Sequence, residues 1–352
     1  MNEYNTGVSL LDRLERGRTL TKDEYWWLID HQSQELAAYA AERAVAVRKA
    51  VYGDHVYVRG LIEIGNVCKN DCLYCGIRAG NRDCQRYRLT REQILDCCAQ
   101  GYAAGFRTFV LQGGEDPHCT EEWVCAVVRA IKERYPDCAV TLSLGEYPRK
   151  TYAAFREAGA DRYLLRHETA DEAHYAMLHT ANQRFEERMR CLRDLKELDF
   201  QVGCGFMVGS PYQTSAMLAK DLKFIEEFKP DMCGLGPFVP HHATPFADFS
   251  AGTLEQTLYL LSLVRLIHPS VLLPATTALG TIHPKGREMG ILAGANVVMP
   301  NLSPTDTRGK YELYDNKLHT GAEAAENRRL LEEQMAEIGY TVVTARGDVK
   351  SD

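Results

Sequence analysis

No window of this 352-residue chain approaches the uninterrupted apolar length that a membrane-spanning helix needs. An excess of positive charge is missing too: the formal net charge is -7, which leaves no footprint for nucleic acid. The chain has no low-complexity tract, no linker that would divide it and no internal repeat beyond the strand–helix unit described below. Cysteine is plentiful, with 12 residues, but a secretory leader is absent and a chain of this length needs no covalent staples. A disulfide framework is therefore not expected. With 45% hydrophobic and 25% charged residues, the composition is that of a reduced, soluble, cytoplasmic enzyme with neither membrane nor nucleic acid among its partners.

What the chain does have is a regular alternation. Runs rich in β-branched and aromatic residues recur at Val56–Ile64, Thr108–Gln112, Ala139–Leu144, Arg162–Arg166, Gln201–Val208, Met232–Gly236, Val271–Pro274 and Asn296–Met299. Helical periodicity fills the gaps, for example at Thr90–Ala104, Glu121–Tyr135, Arg184–Leu198, Ser215–Phe228 and Leu254–Ile267. Eight strands alternating with helices predict parallel βα units closing into an α/β (β/α)8 TIM barrel. Residues 1–52 read as an N-terminal helical cap on the barrel bottom, with Thr21 and Glu24 placed for a capping box. Residues 53–340 read as the barrel, with Ala322–Ile338 as the C-terminal helix, and residues 341–352 as a tail that frays for want of apolar content.

The run Cys68-Lys69-Asn70-Asp71-Cys72-Leu73-Tyr74-Cys75 follows the first strand directly. Three thiolates at this spacing can hold three irons of a [4Fe–4S] cube and leave the fourth iron open to a substrate or cofactor. Zinc more often takes four ligands in paired spacings, and the next downstream candidate is Cys84. The other cysteines, among them Cys97, Cys98, Cys125, Cys191 and Cys233, fall mostly in apolar periodic segments and read as small core hydrophobes.

Chemistry in a parallel barrel gathers where strands end. Gly113-Gly114-Glu115 follows the second strand, where two glycines allow close backbone approach to a ligand, or merely make a turn. After the fourth strand, Arg166 and Glu168 share a face in extended backbone. Together they either grip a zwitterionic ligand or pair as a structural bridge. Alternation puts Arg59, Leu61 and Glu63 on one side of the first strand; if that side faces inward, Arg59 supplies a fixed cation for an anion. Gly203, Gly205, Gly234 and Gly236 in the fifth and sixth strands, with Thr276 and Thr277 beyond the seventh, predict a hollow interior with room for a small polar substrate.

The C-x3-C-x2-C run with Tyr74 before its last cysteine resembles the radical S-adenosylmethionine superfamily. Within it, Val110–Pro117, Thr141–Glu146, Gly159–Thr169, Gly236–His241 and Pro274–Thr281 are similar to the [FeFe]-hydrogenase maturase family HydE, over roughly Gly53 to Tyr314. The resemblance implies that Cys68, Cys72 and Cys75 hold the cluster, and that Tyr74, Gln112, Gly113, Gly114 and Glu115 help form the S-adenosylmethionine site. It further implies Glu168 at the ribose, Arg188 at the methionine carboxylate, and Arg59, Arg166, Thr276, Thr277, Met299 and Tyr311 around a substrate inside the barrel. The implied substrate is a small organometallic or amino-acid-derived molecule, and the implied partners are other maturases and an electron donor such as ferredoxin or flavodoxin.

Many members of that family carry a second cluster near the C-terminal helix, yet no cysteine follows Cys233 here and the matching stretch reads Asn316-Lys317-Leu318-His319-Thr320-Gly321. One cluster is expected. Alternatives that stay open are a paralogue or a methylornithine-synthase-like enzyme acting on another small substrate, a biotin-synthase-like sulfur insertion using Cys138 and Cys204, and a non-catalytic iron–sulfur carrier. Anaerobic reconstitution is expected to saturate near about four irons per chain, the content of one such cluster. About eight by iron analysis would reveal a second site.

Overall fold

Helices begin where a hydroxyl can cap them. Thr21 and Thr90 form full capping boxes with Glu24 and Gln93, and Ser33, Thr120, Thr214 and Thr253 each accept one amide of a first turn. Each such cap is worth about 1 kcal/mol. The computed structural model describes residues 2–318 and 323–350. His319, Thr320, Gly321 and Ala322 lie outside the described residues, including the end of the stretch read for a second cluster and the start expected for the last helix, whose described part is Ala324–Glu337.

The strands are β1 His55–Val58, β2 Gly60–Gly65, β3 Thr108–Gly113, β4 Ala139–Ser143, β5 Arg162–Leu164, β6 Gln201–Cys204, β7 Met207–Val208, β8 Met232–Cys233, β9 Gly236–Pro237, β10 Val297–Val298 and β11 Thr341–Val343. A parallel sheet runs β2-β3-β4-β5-β6-β8, and β1 pairs with β10 on one side and β11 on the other. The fold is α/β, with helices around a parallel barrel-like sheet. The predicted first strand is split at Arg59, where the chain changes partners. The fifth and sixth strands are each split at glycines: a Cβ at Gly205, whose φ is 153°, would lie 1.9 Å from the Gly234 carbonyl oxygen. The two backbones touch there because neither residue has a side chain.

The expected strand Val271–Pro274 survives only as isolated bridges, Met232 to Leu272 and Pro274 to Val297, which complete the path from β8 to β10. Leu273 gives its amide to the Asn296 side chain rather than to a ladder, and Pro274 has no amide to give. The bulk of the core lies between strands and helices.

The N-terminal helices Glu3–Gly17, Lys22–Asp30 and Gln34–Tyr52 run along the barrel flank, where a bottom cap was expected. Gln34–Tyr52 packs on Leu254–Ile267, and Lys22–Asp30 packs on Ser215–Phe228. Leu254–Ile267 is buried nearly all round because it is sandwiched between barrel and flank, so it is apolar on both faces. Among the described residues, no helix is long and apolar enough to cross a membrane.

The C-terminal segment does not fray. β11 adds to β1, and the following residues close the barrel bottom around the wholly buried Arg162. Arg162 donates to the Arg346 carbonyl at 2.9 Å, to Asp348 at 2.6 Å, to Thr108 at 3.0 Å and to Gln201 at 3.0 Å. Polar groups, not apolar ones, hold this segment, which is why low apolar content misled. Arg346 and Arg162 hold the Asp348 carboxyl below its usual range against the effect of burial. A lowered folded-state value stabilises the protein above the ordinary carboxylate pKa, and the contribution fades as pH falls through the folded value. Asp348→Asn should cost about 2 kcal/mol in denaturant unfolding at neutral pH, with the difference narrowing in acid.

Candidate functional site

Between Asn66 and Leu89 the chain has almost no regular structure, so its backbone groups need side-chain partners. Arg86 donates to the carbonyls of Asn66, Ile77, Arg78 and Asn81 at 2.6, 2.7, 2.6 and 3.0 Å. Asn66, fully buried, donates to the Gln85 and Lys310 carbonyls and accepts the Tyr87 amide. Asp71 and Arg78 form a two-pronged ion pair with both contacts at 2.6 Å. An irregular loop is thereby held rigid around Cys68, Cys72 and Cys75.

Zinc ligands at about 2.3 Å from the metal leave sulfurs roughly 3.8 Å apart. The three sulfurs here do not all lie within 4.8 Å of one another. Burial pushes the Cys68 and Cys75 thiols up and the Cys72 thiol to about 11, so binding a cluster must displace protons. Gln183 donates to the Cys72 sulfur at 3.0 Å. Tyr74 donates to His179 Nε2 at 3.2 Å, because His179 Nδ1 gives its proton to the Tyr175 carbonyl. Of the remaining cysteines all but Cys84 are buried; Cys204 lies against Cys233 and Cys138 near Cys98, so Cys138 and Cys204 form no common set.

The glycines after β3 serve a close approach, and what approaches is the cysteine loop. A Cβ at Gly114 would lie 2.3 Å from the Val67 carbonyl oxygen and 2.7 Å from Cys68 Cβ, while the Lys69 amide donates to the Glu115 carbonyl at 2.9 Å. The Glu115 side chain folds over Gly145, whose φ of 86° needs glycine, and accepts the Glu146 amide at 3.1 Å. Burial and the nearby Glu146 push its carboxyl up.

Glu146 leads onward round the rim. It accepts from Arg188 Nε at 2.6 Å, and Arg188 also donates to the Arg166 carbonyl at 2.5 Å. Glu168 has a φ of 65°, costly for a residue with a side chain. The turn is pinned by the Glu168 amide on the Gly205 carbonyl and by buried His167, which accepts the Gly205 amide at Nδ1 and donates from Nε2 to Asp221. Burial lowers His167 to about 3 and raises Asp221.

Arg166 and Glu168 come within 3.2 Å of each other. They are nevertheless misaligned: Arg166 Nε and Nη2 and Glu168 Oε2 are buried without hydrogen-bond partners among the described residues. Leaving such groups unmade costs about 1–3 kcal/mol each. A well-matched structural bridge would have satisfied them, whereas these atoms remain open to a ligand. The donor set, three thiols at C-x3-C-x2-C spacing on one loop beside this polar rim, fits a [4Fe–4S] cluster with S-adenosylmethionine.

Arg59, Leu61 and Glu63 do face inward, since Gly60 on the opposite side abuts Leu302 and Phe106. The residues expected to line the interior divide between two levels. Lower down, Arg59 contacts Met232 Sδ at 2.7 Å and packs near Gly347, and Met299 joins the Met232 and Val297 cluster. At the mouth stand Arg166, Thr277 and Thr276, whose buried hydroxyl has no partner among the described residues, with Tyr311, whose hydroxyl accepts from Gln112 at 3.4 Å. Sequence reasoning missed the pair beside them. Glu63, fully buried, is held by Lys317 and by Asn301 at 2.8 Å, and Lys317 also donates to the Tyr311 carbonyl. Only the inward alternation of β2 hinted at Glu63; nothing local marked Lys317.

A family model for the radical SAM superfamily matches residues 62–225. The chain is 43% identical over 313 residues to the [FeFe] hydrogenase maturase subunit HydE of Thermotoga maritima, covering 89% of each. It is 30% identical to 3-methylornithine synthase of Methanosarcina barkeri, covering 88% of this chain and 87% of the relative. Among solved structures, methylornithine synthase PylB superposes with a TM-score of 0.83 at 27% identity, covering 95% and 97% of the two chains.

Hydrogen bonds to ligating sulfurs raise a cluster's reduction potential by stabilising its more negative state. Gln183→Leu should leave iron content unchanged and shift the cluster potential to a more negative value in an EPR-monitored redox titration.

Proposed function

As a member of the radical SAM superfamily and, within it, of the HydE family, the chain is a radical SAM enzyme, and we propose that it acts as a maturase in assembling the di-iron centre of [FeFe]-hydrogenase. The observation that carries this reading is the incomplete pair of Arg166 and Glu168 together with three cysteines at C-x3-C-x2-C spacing. The family's chemistry requires a [4Fe–4S] cluster and S-adenosylmethionine. Cys68, Cys72 and Cys75 would hold the cluster, which when bound would supply the electron for reductive cleavage of S-adenosylmethionine to methionine and a 5′-deoxyadenosyl radical.

The chain's own residues do the rest. Glu115 and the Gly113-Gly114 backbone present acceptors to the cofactor's ammonium, and Arg188 presents a cation to its carboxylate. Glu168 takes the ribose hydroxyls with the oxygen that its protein partner leaves free. Tyr74 and Gln183 hold the cysteine loop from below through His179 and Cys72. Arg166, Thr276, Thr277 and Tyr311 orient the substrate at the mouth, with Arg59 and Met299 beneath. The closed bottom around Arg162 excludes water from one end, which protects a reactive carbon radical.

The chain carries one cluster in this reading, because it has no cysteine after Cys233. A small organometallic or amino-acid-derived substrate fits the polar mouth, and electrons come from a ferredoxin- or flavodoxin-like donor. The likeness to methylornithine synthase supports a second reading, a mutase of an amino-acid-derived substrate on the same scaffold.

Anaerobically reconstituted protein, reduced with dithionite and given S-adenosylmethionine, should form 5′-deoxyadenosine, and Cys72→Ala should abolish it. An intact reduced cluster with no cleavage, even with substrate present, would indicate a carrier instead. Release of a matured iron product from a cysteine-bound iron carbonyl cyanide complex would separate maturase from mutase.

A further inference from the structure

The barrel bottom is plugged around Arg162, so whatever reaches the interior passes through the mouth. At the ends of the second, third and fourth strands the mouth is occupied by the residues read as the cofactor site, from Glu115 through Glu146 and Arg188 to Glu168. The opposite side is crossed by the chain itself. After the short helix Thr305–Arg308, residues 309–318 run as irregular backbone and touch segments that follow the first, sixth and seventh strands.

Gly76, directly after Cys75, gives its amide to the Leu313 carbonyl at 2.8 Å. A Cβ there would lie 2.2 Å from the Glu312 carbonyl oxygen and 2.3 Å from His241 Cδ2, so three segments meet at a point that only glycine fits. Asp315 gives its amide to the Pro240 carbonyl at 3.0 Å, and its carboxylate accepts the His242 amide at 2.9 Å and faces His242 Nδ1 at 2.7 Å. The Leu318 amide donates to Thr281 Oγ1 at 3.0 Å. The strap thus spans from the cysteine loop to the loops three strands away round the ring.

Irregular backbone has no ladder of its own to resist opening, so its ties decide how readily it lifts. The Asp315–His242 pair stands at the surface, where an ion pair contributes little. Lys317 is a different kind of tie. It reaches from the strap into the barrel to the fully buried Glu63, which Asn301 also holds, and it donates back to the Tyr311 carbonyl at 2.8 Å. Removing one partner of a buried pair strands the charge of the other.

We infer that residues 309–318 are the gate through which substrate enters the barrel and that the Lys317–Glu63 pair is its latch. This rests on the reading that the barrel holds the substrate. A latched strap beside an occupied cofactor site closes the mouth against water, the condition that radical chemistry needs.

Thiol labelling tests the gate with no substrate present. Met299 lies at the lower level of the interior, so iodoacetamide reaches the thiol of a Met299→Cys variant only past the strap. In the full chain, reconstituted anaerobically and loaded with S-adenosylmethionine, peptide mass spectrometry should find this position labelled slowly. Adding Lys317→Met should speed the labelling by about tenfold or more and speed hydrogen exchange at residues 310–318 alike, with β3 and β4 unchanged. Lys317→Arg, which keeps the charge, should label as the parent does, and His242→Ala, which cuts only the exposed tie, should change the rate less than about twofold. If Lys317→Met does not fold, Lys317→Met combined with Glu63→Gln removes the latch without stranding a charge and supplies the same comparison. Rapid labelling of the parent, a rate unmoved by loss of Lys317, or one raised as much by His242→Ala, would overturn the inference. Failure of the functional reading shows separately, as missing 5′-deoxyadenosine or matured product with the labelling difference intact.

Discussion

A guanidinium or carboxylate taken out of water must find a counter-charge, a full set of hydrogen bonds or a ligand, and this requirement shapes both ends of the barrel. At the bottom it is met within the protein. Arg162 is surrounded by the Arg346 carbonyl, Asp348, Thr108 and Gln201, and that complete set turns the C-terminal segment into a plug. At the mouth it is met only in part. Arg166, Glu168 and Thr276 keep buried polar atoms without partners among the described residues. The same physics that makes one end a seal leaves the other open to a ligand.

Rigidity at the mouth comes from close backbone contacts more than from apolar packing. Gly114 lets the loop after β3 lie directly on Val67 and Cys68, so the cofactor loop and the cysteine loop form one unit. Arg86 and Asn66 then gather the carbonyls that an irregular loop leaves over. From Glu146 the rim continues through Arg188 to the backbone of Arg166. A change at any of these residues is transmitted to the geometry of the others.

Much of the architecture was legible because its signals are local. Threonine caps, alternating strands and the cysteine spacing each involve residues a few positions apart, and the capping box at Thr21 and Glu24 is as read. The errors share a different cause. Val271–Pro274 has strand composition, but Asn296, twenty-three residues away, takes its amide. The last residues lack apolar content, yet a buried arginine from β5 fixes them. The N-terminal helices were placed under the barrel, whereas the apolar outer face of Leu254–Ile267 draws them to the flank.

By itself, the sequence determined the α/β class, the three-cysteine loop and the polar strand ends, since these follow from residue type and short spacing. Tertiary structure alone decided which polar groups are satisfied. Arg59 became a lower-level residue against Met232, Lys317 was brought to Glu63 across more than two hundred residues, and the buried Nε of Arg287 was left without a partner among the described residues. Whether a charge is a seal, a bolt or a ligand depends on what the fold places within hydrogen-bonding distance of it, and no local pattern encodes that distance.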